Sequence, residues 1–322
     1  MKIPVLKEEA KGLPRIIDVH GHPPTIEGMS CFLAMRAKLN KYLYNEDISD
    51  EELLKRYPKE EEFIAELRKY NIACMHCAAD SETHLGGVAT SNDYVAGLRD
   101  RYPDVYLSMW GSVDPWKGQL ALREVERCIK KLNLIGIKFH GPTAQFHVND
   151  QQFYPLWDLC QELHAPVQFH MGYSGLGSYM PGGGGVKLKY TRPIDADDVA
   201  ADFPNLKIIC MHNGEPWCEE LLAITMHKGN IYRETSGIWP KYFDERQVYE
   251  MSRRVKDKFM LGTEYNLFLP LEELFRQWEE EVELKPGILE KLYYKNAVNI
   301  LGEELERVGV DLKEWQTNLN QV

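Results

Sequence analysis

Short apolar segments rich in Ile, Val, Phe and Tyr recur along the chain, separated by longer amphipathic stretches. Eight stand out, at 16–20, 72–77, 106–113, 135–140, 167–171, 207–212, 231–236 and 259–264. Runs of this length and composition predict buried strands. The intervals between them carry helical spacing. Leu53, Leu54, Tyr57, Phe63, Ile64 and Leu67 predict one helix over 51–70, and Leu120, Leu122, Val125, Cys128, Ile129 and Leu132 another over 119–132. A helix over 92–101 has Ser91 as its N-cap, and further helices are expected at 150–164, 195–203, 216–227, 244–255 and 271–283.

Strand followed by helix, eight times over, predicts parallel strands joined by crossover helices. At 322 residues the natural closure is a (β/α)8 barrel forming one α/β domain over 1–322. Three pieces exceed the minimal barrel. The stretch 23–50 after the first strand carries Met29, Phe32, Met35, Arg36 and Tyr42 and would cover the catalytic face. The stretch 172–193 holds Pro181 and four glycines, Gly182 to Gly185, which suits either a mobile lid or an inert surface loop. Residues 286–302 read as a further helix and 303–322 as a charged C-terminal extension.

A net charge of −11 argues against nucleic acid and anionic membranes as partners, yet is compatible with an anionic small substrate held by a local cationic site. No apolar run approaches the roughly 20 residues of a membrane span, and the first residues lack the apolar stretch of a signal peptide. Seven scattered cysteines fit a reducing cytoplasm. Cys74 and Cys77 form a C-x-x-C, but in a strand residues three apart face opposite sides, which disfavours a shared zinc or redox site.

In such a barrel, function gathers at the C-terminal strand ends. The first strand ends in His20-Gly21-His22, the fourth in Lys138-Phe139-His140, the fifth in Gln168-Phe169-His170, the sixth in Met211-His212-Asn213 and the eighth in Gly262-Thr263-Glu264. Alone, His20 and His22 suit half a metal site or a turn with two solvent histidines. Four of ten histidines, His20, His22, His170 and His212, fall where a barrel would make them converge, and together they favour a metal site.

The chain resembles the amidohydrolase superfamily, in the amidohydrolase-2 branch that includes aminocarboxymuconate-semialdehyde decarboxylase and the resorcylate-type decarboxylases. The resemblance is carried by Ile17-Asp18-Val19-His20-Gly21-His22, Gly136-Ile137-Lys138-Phe139-His140, Pro166-Val167-Gln168-Phe169-His170, Met211-His212-Asn213-Gly214 with Pro216-Trp217, Thr235-Ser236-Gly237 and Leu261-Gly262-Thr263-Glu264-Tyr265. It implies His20, His22 and His170 as ligands of one divalent ion, Zn2+ first and Mn2+ second, with His212 as base or substrate polariser. The eighth-strand carboxylate is usually aspartate in this branch. Glu264, followed by Tyr265-Asn266, departs from that and is expected either to reach the metal or to handle protons. Lys138, Arg192 and Trp217 are expected at the substrate, Arg36 and Lys189 are further loop cations, and His140 and His147 read as structural or loop residues.

The activity implied is decarboxylation of a small aromatic or unsaturated carboxylic acid. Metal-dependent hydrolysis of an amide, ester or lactone uses the same ligands, and a non-catalytic barrel is the third alternative. Relatives in the branch also imply a homodimer.

Overall fold

Each of the eight expected segments carries a parallel strand. The computed structural model describes residues 15–43, 45–264 and 270–313. Residues 1–14, Tyr265, Asn266 and the last part of the expected C-terminal extension lie outside the described residues. The strands are β1 (Ile16–Asp18), β2 (Ile72–Cys74), β3 (Trp110–Ser112), β4 (Gly136–Phe139), β5 (Val167–His170), β6 (Ile208–Met211), β7 (Ile231–Glu234) and β8 (Phe259–Met260). They are shorter than the apolar runs because only part of each run forms a ladder. The ends peel away toward the site.

β1 pairs with β2, and β3 to β8 pair in sequence order, all parallel. Bridges Cys74–Tyr106 and Cys77–Trp110 join the two sheets. The last seam closes through Val19 N–H to Leu261 O at 2.9 Å and Thr263 N–H to His20 O at 3.2 Å. The result is a TIM barrel.

Alternation along each strand sorts the side chains. On β4 and β5, Phe139 and Phe169 point outward and pack on Trp157 of the helix Tyr154–Glu162, with ring centroids 4.8 and 4.9 Å apart. Lys138, Gln168 and His170 face the barrel interior and are buried. The apolar residues thus hold helix to sheet, and the polar residues between them are left to meet one another inside.

The expected helix over 51–70 is two helices, Asp50–Lys55 and Glu60–Lys69. Pro58 lies between them. It donates no N–H and disfavours a helical residue before it. Ser49 and Glu52 form a reciprocal capping box on the first. The single helix expected over 286–302 is instead Ile288–Glu290, a π-turn at Lys291–Lys295, and Asn296–Arg307. The Leu292 carbonyl in the π-turn accepts the Leu261 N–H at 2.9 Å and so tethers the end of β8. The expected extension beyond 303 begins as the end of that last helix, where Arg307 donates to Ile135 O at 2.7 Å.

After β1 the chain forms a helix over Leu33–Leu43 and lays Met29, Phe32 and Arg36 along the cavity at the strand ends. After β5, Tyr173, Ser174 and Ser178 line the same cavity. Gly182 to Gly185 have φ between +59° and +89°, backbone that only glycine adopts without strain, and they do not line the cavity themselves. Among the described residues no helix is long and apolar enough to cross a membrane.

Candidate metal centre

Asp18, His20 and His22 alternate along one face of β1 and its exit. Asp18 is buried and accepts three bonds: His20 N–H at 3.1 Å, Thr263 N–H at 3.0 Å and the Thr263 hydroxyl at 2.6 Å. It therefore ties the end of β1 to the end of β8, where Glu264 follows. Burial pushes its carboxyl up to about 7, against the lowering effect of these donors.

The tautomer of each imidazole follows from its neighbours. Gln168 donates through Nε2 to Val19 O at 3.0 Å, which turns its Oε1 toward His20 Nδ1 at 2.9 Å. His20 therefore carries a proton on Nδ1, and its Nε2 faces Glu264 Oε2, 3.1 Å away. His22 Nε2 lies 3.9 Å from Glu264 Oε1 and accepts from Lys138 Nζ at 3.2 Å. His170 Nε2 faces the Tyr173 carbonyl at 3.1 Å, and His212 Nδ1 faces the Ser236 carbonyl at 3.1 Å. Their remaining nitrogens, His170 Nδ1 and His212 Nε2, point at each other across 3.0 Å.

Lone pairs that face one another need a cation between them, either a proton or a metal ion. The donor set is imidazole nitrogen plus carboxylate oxygen, suited to a divalent transition ion. Two ligands about 2.1 Å from one ion stand about 3.0–3.4 Å apart, close to the 3.1 Å separation of His20 and Glu264. His20, His22 and Glu264 form one compact group of potential ligand atoms. His170 is not in that group; it adjoins through His212, whose ring centroid is 5.7 Å from that of His20. These residues fit a divalent ion.

The electrostatics agree. Burial would raise the Glu264 carboxyl, but His20, then His22 and His212, outweigh it and hold it well below the usual range. Burial disfavours the charged form of His20, while Cys77 and then Glu264 favour it more, and its pKa stands well above the ordinary value. Burial, followed by Lys138 for His22 and by His212 for His170, pushes both of those rings well down, into the neutral form that a ligand needs.

The group forms the floor of a cavity of about 740 Å³. Phe32 covers one side, with its ring edge-on to His22 at 5.5 Å and 5.8 Å from His140. His140, expected as structural, lines this cavity, 4.5 Å ring to ring from His170, and is neutral through burial. Lys138 is buried beside His22, its pKa lowered by burial. Arg36 lines the cavity too.

Two residues expected at the substrate, Arg192 and Trp217, are not among those lining this cavity. Arg192 is folded onto Glu220 at 3.0 Å across the start of a helix, and Trp217 precedes the helix Cys218–His227 while its neighbours Glu215 and Cys218 line the cavity. Lys189 rests on the Tyr190 ring, and His147 pairs with Asp195 at 2.6 Å, away from the cavity. Of the C-x-x-C cysteines, Cys74 ends β2 and groups with Asp18 and His76, whereas Cys77 lies beyond the strand and touches His20 and Gln168 at 3.3 Å.

Sequence reasoning gave no role to Asp18, Gln168, Glu234 or Ser236. For the first two the signal was available, since each lies two residues before a histidine on the same strand and so shares its face.

The amidohydrolase family model matches residues 17–302. A gamma-resorcylate decarboxylase of Polaromonas sp. (strain JS666) is 24% identical over 215 residues, covering 61% of this chain and 63% of that protein, so the match spans a little under two thirds of the relative's length. An uncharacterized TIM-barrel protein, Bb4693 from Bordetella bronchiseptica, superposes with a TM-score of 0.67 at 22% identity, covering 90% of this chain and 99% of that one. A 5-carboxyvanillate decarboxylase from Novosphingobium aromaticivorans, solved with manganese and 4-hydroxy-3-methoxy-5-nitrobenzoic acid, gives 0.67 at 17% identity, covering 94% and 99%. With the family model spanning the barrel from β1 to the last helix, the chain belongs to the amidohydrolase family, in its amidohydrolase-2 branch.

Proposed function

We propose that this protein is a divalent-metal-dependent carboxy-lyase acting on a small aromatic or unsaturated carboxylic acid. The observation that carries the reading is the convergence of His20, His22 and Glu264 on the floor of a cavity walled partly by Phe32, Met29, Ile238 and Trp239. A flat acid would seat its ring against these apolar walls and its carboxylate at the floor. The likeness to decarboxylases of aromatic acids points the same way.

His20, His22 and Glu264 would hold the ion, with His170 completing the set by rotation of its ring. When bound, the ion supplies positive charge that orients a substrate carboxylate and an adjacent oxygen. Zn2+ is our first choice and Mn2+ the second; both suit imidazole and carboxylate donors.

The chain's own residues supply the proton. His212 is held from behind through Nδ1, so its Nε2 is the atom that carries and releases a proton. Burial, outweighing Glu234 and Glu264, lowers the pKa of this ring, which makes its protonated form a ready donor. The neutral ring keeps its Nδ1–H and takes a second proton at Nε2 from solvent. That Nε2–H passes to the carbon bearing the carboxylate, and the C–H bond forms from a π pair of the acid. The C–C bond breaks and its pair restores the π system, CO2 leaves, and the ring returns to the Nδ1–H form. Lys138, two strands over on β4, adds a buried donor beside His22.

The test is a panel of hydroxylated benzoic acids, unsaturated carboxylic acids, lactones and amides offered to the zinc- or manganese-loaded protein. Release of 13CO2 from a carboxyl-labelled acid is the expected result. Hydrolysis of an amide or lactone without CO2 release would assign the site to the hydrolase alternative.

A further inference from the structure

β6 ends at Met211, and the chain turns at His212 with φ +65°, a left-handed backbone disfavoured for any residue with a side chain. Two consecutive residues of β7 take up the groups of that turn. Glu234 Oε1 accepts the His212 N–H at 2.8 Å, and Arg233 Nη2 donates to the His212 carbonyl at 2.9 Å. Consecutive strand residues point to opposite faces, so one residue is gripped from both sides of the sheet.

Arg233 acts from the helix side. It also reaches Gln247 Oε1 at 3.1 Å and lies 4.8 Å from the Phe259 ring centroid. Its Nε and Nη1 are buried with no hydrogen-bond partner among the described residues. A guanidinium buried with two nitrogens unsatisfied is costly, and the arm that is satisfied is the one holding His212.

Glu234 acts from inside the barrel. Its Oε2 accepts the Ser236 N–H at 2.7 Å, and its Oε1 accepts the Ser236 hydroxyl at 2.9 Å. Having donated its proton there, Ser236 Oγ is left to accept from His212 Nδ1 at 2.9 Å. The competing acceptor, Glu264 Oε2, is farther from Oγ at 3.3 Å. A chain therefore runs from His212 Nδ1–H through the serine hydroxyl to a buried carboxylate. Two glycines make room for it. A Cβ on Gly262 would stand 1.8 Å from Glu234 Oε2, and one on Gly237 would stand 2.6 Å from His212 Nδ1. Glu234 also lies near His20 and His212 as a potential ligand, but its oxygens are taken by three N–H and O–H donors.

We propose that Arg233 and Glu234 form a positioning clamp for His212, fixing its left-handed backbone and, through Ser236, the Nδ1–H tautomer that presents Nε2 to the substrate. The clamp rests on His212 being the proton-handling group of the proposed reaction. Neither Arg233 nor Glu234 lines the cavity, so both act through His212.

The experiment records the ring-nitrogen spectrum of 15N-histidine-labelled, zinc-loaded full-length protein, with His212 assigned from His212→Asn. Wild type is expected to show the Nδ1–H tautomer at position 212. Glu234→Gln offers Ser236 an amide in place of a second acceptor and is expected to populate the Nε2–H form. On an active substrate its kcat should fall about tenfold or more, with KM and bound zinc near wild type. Ser236→Ala removes the linking hydroxyl but keeps the Ser236 carbonyl 3.1 Å from Nδ1 as an acceptor. Its kcat should fall likewise while the Nδ1–H form persists in larger part, which keeps the test decisive if Glu234→Gln does not fold. Folded variants that keep the wild-type tautomer and kcat overturn the clamp. Wild type inactive on every acid overturns the decarboxylase reading instead, while the tautomer spectrum still judges the clamp.

Discussion

His170 Nδ1 and His212 Nε2 stand 3.0 Å apart, and each ring gives its other nitrogen to a backbone carbonyl. Two bare nitrogens at that distance repel, and the strain is relieved when a cation joins them or when one ring turns to an ion shared with His20 and His22. Binding energy for a divalent ion is therefore built into the folded state and absent from the unfolded chain. Zinc or manganese at 100 times its Kd should stabilise the fold by about 2.7 kcal/mol, which raises Tm by several degrees. Thermal unfolding with and without each ion, alongside metal content by mass spectrometry, checks this. An unchanged Tm with both ions at millimolar concentration would dismiss the metal centre.

His212→Ala should abolish turnover and leave bound metal nearly intact. Its Nδ1 is occupied by Ser236, and the compact ligand group of His20, His22 and Glu264 does not need it. A parallel His20→Ala variant should lose metal and activity together. Should the two variants lose metal equally, His212 belongs among the ligands.

The barrel was legible because alternation writes itself into the chain. Eight short apolar runs, each followed by helical spacing, were enough to predict the barrel, and on β4 and β5 the structure adds Phe139 and Phe169 outward with Lys138, Gln168 and His170 inward. The strand-end histidines were legible for the same reason. What the sequence hid was direction beyond the strand. Arg192 sits on the expected loop, yet Glu220 captures it across a helix start. The helix over 51–70 had the right apolar spacing, but Pro58 broke it. Glu234 was hidden because its partners, His212 N–H and Ser236, come from a backbone turn with positive φ that no periodicity announces.

Asp18 gives the fold a pH dependence. Its carboxyl sits at about 7 in the folded chain against 3.8 for an ordinary aspartate. Between those values the folded state holds a proton that the unfolded chain has released. Stability from this group is thus greatest at low pH and falls as pH rises from about 4 to about 7, by at most about 1.4 kcal/mol per unit. Asn at this position removes the titration. Urea unfolding of metal-free protein at pH 5 and 7 should show wild type losing more stability over that interval than Asp18→Asn. Equal losses would mean that the donors from His20 and Thr263 keep Asp18 ionised throughout.

Glu264 stands where the resemblance leads one to expect aspartate, and its geometry suits the longer side chain. Its φ is +49°, so the backbone turns at this residue instead of continuing the line of β8. A left-handed residue with a side chain costs about 1–2 kcal/mol, and here the turn leaves the carboxylate 3.1 Å from His20 Nε2 and 3.9 Å from His22 Nε2. The extra methylene and the turned backbone are thus two halves of one arrangement. Glu264→Gln keeps the shape and removes the charge that faces two imidazoles. Activity should fall about a hundredfold or more, bound metal should drop, and Tm of the metal-free protein should change little. Glu264→Asp installs the aspartate that the resemblance leads one to expect on a backbone set for glutamate. The carboxylate then retreats by roughly 1.5 Å, one C–C bond, and turnover of the native acid should fall as well. Metal content and kcat measured together on both variants decide the matter. If Glu264→Gln binds metal and turns over like wild type, the carboxylate is a bystander and proton delivery rests on His212 alone. If Glu264→Asp outperforms wild type, the left-handed turn is no adaptation to glutamate.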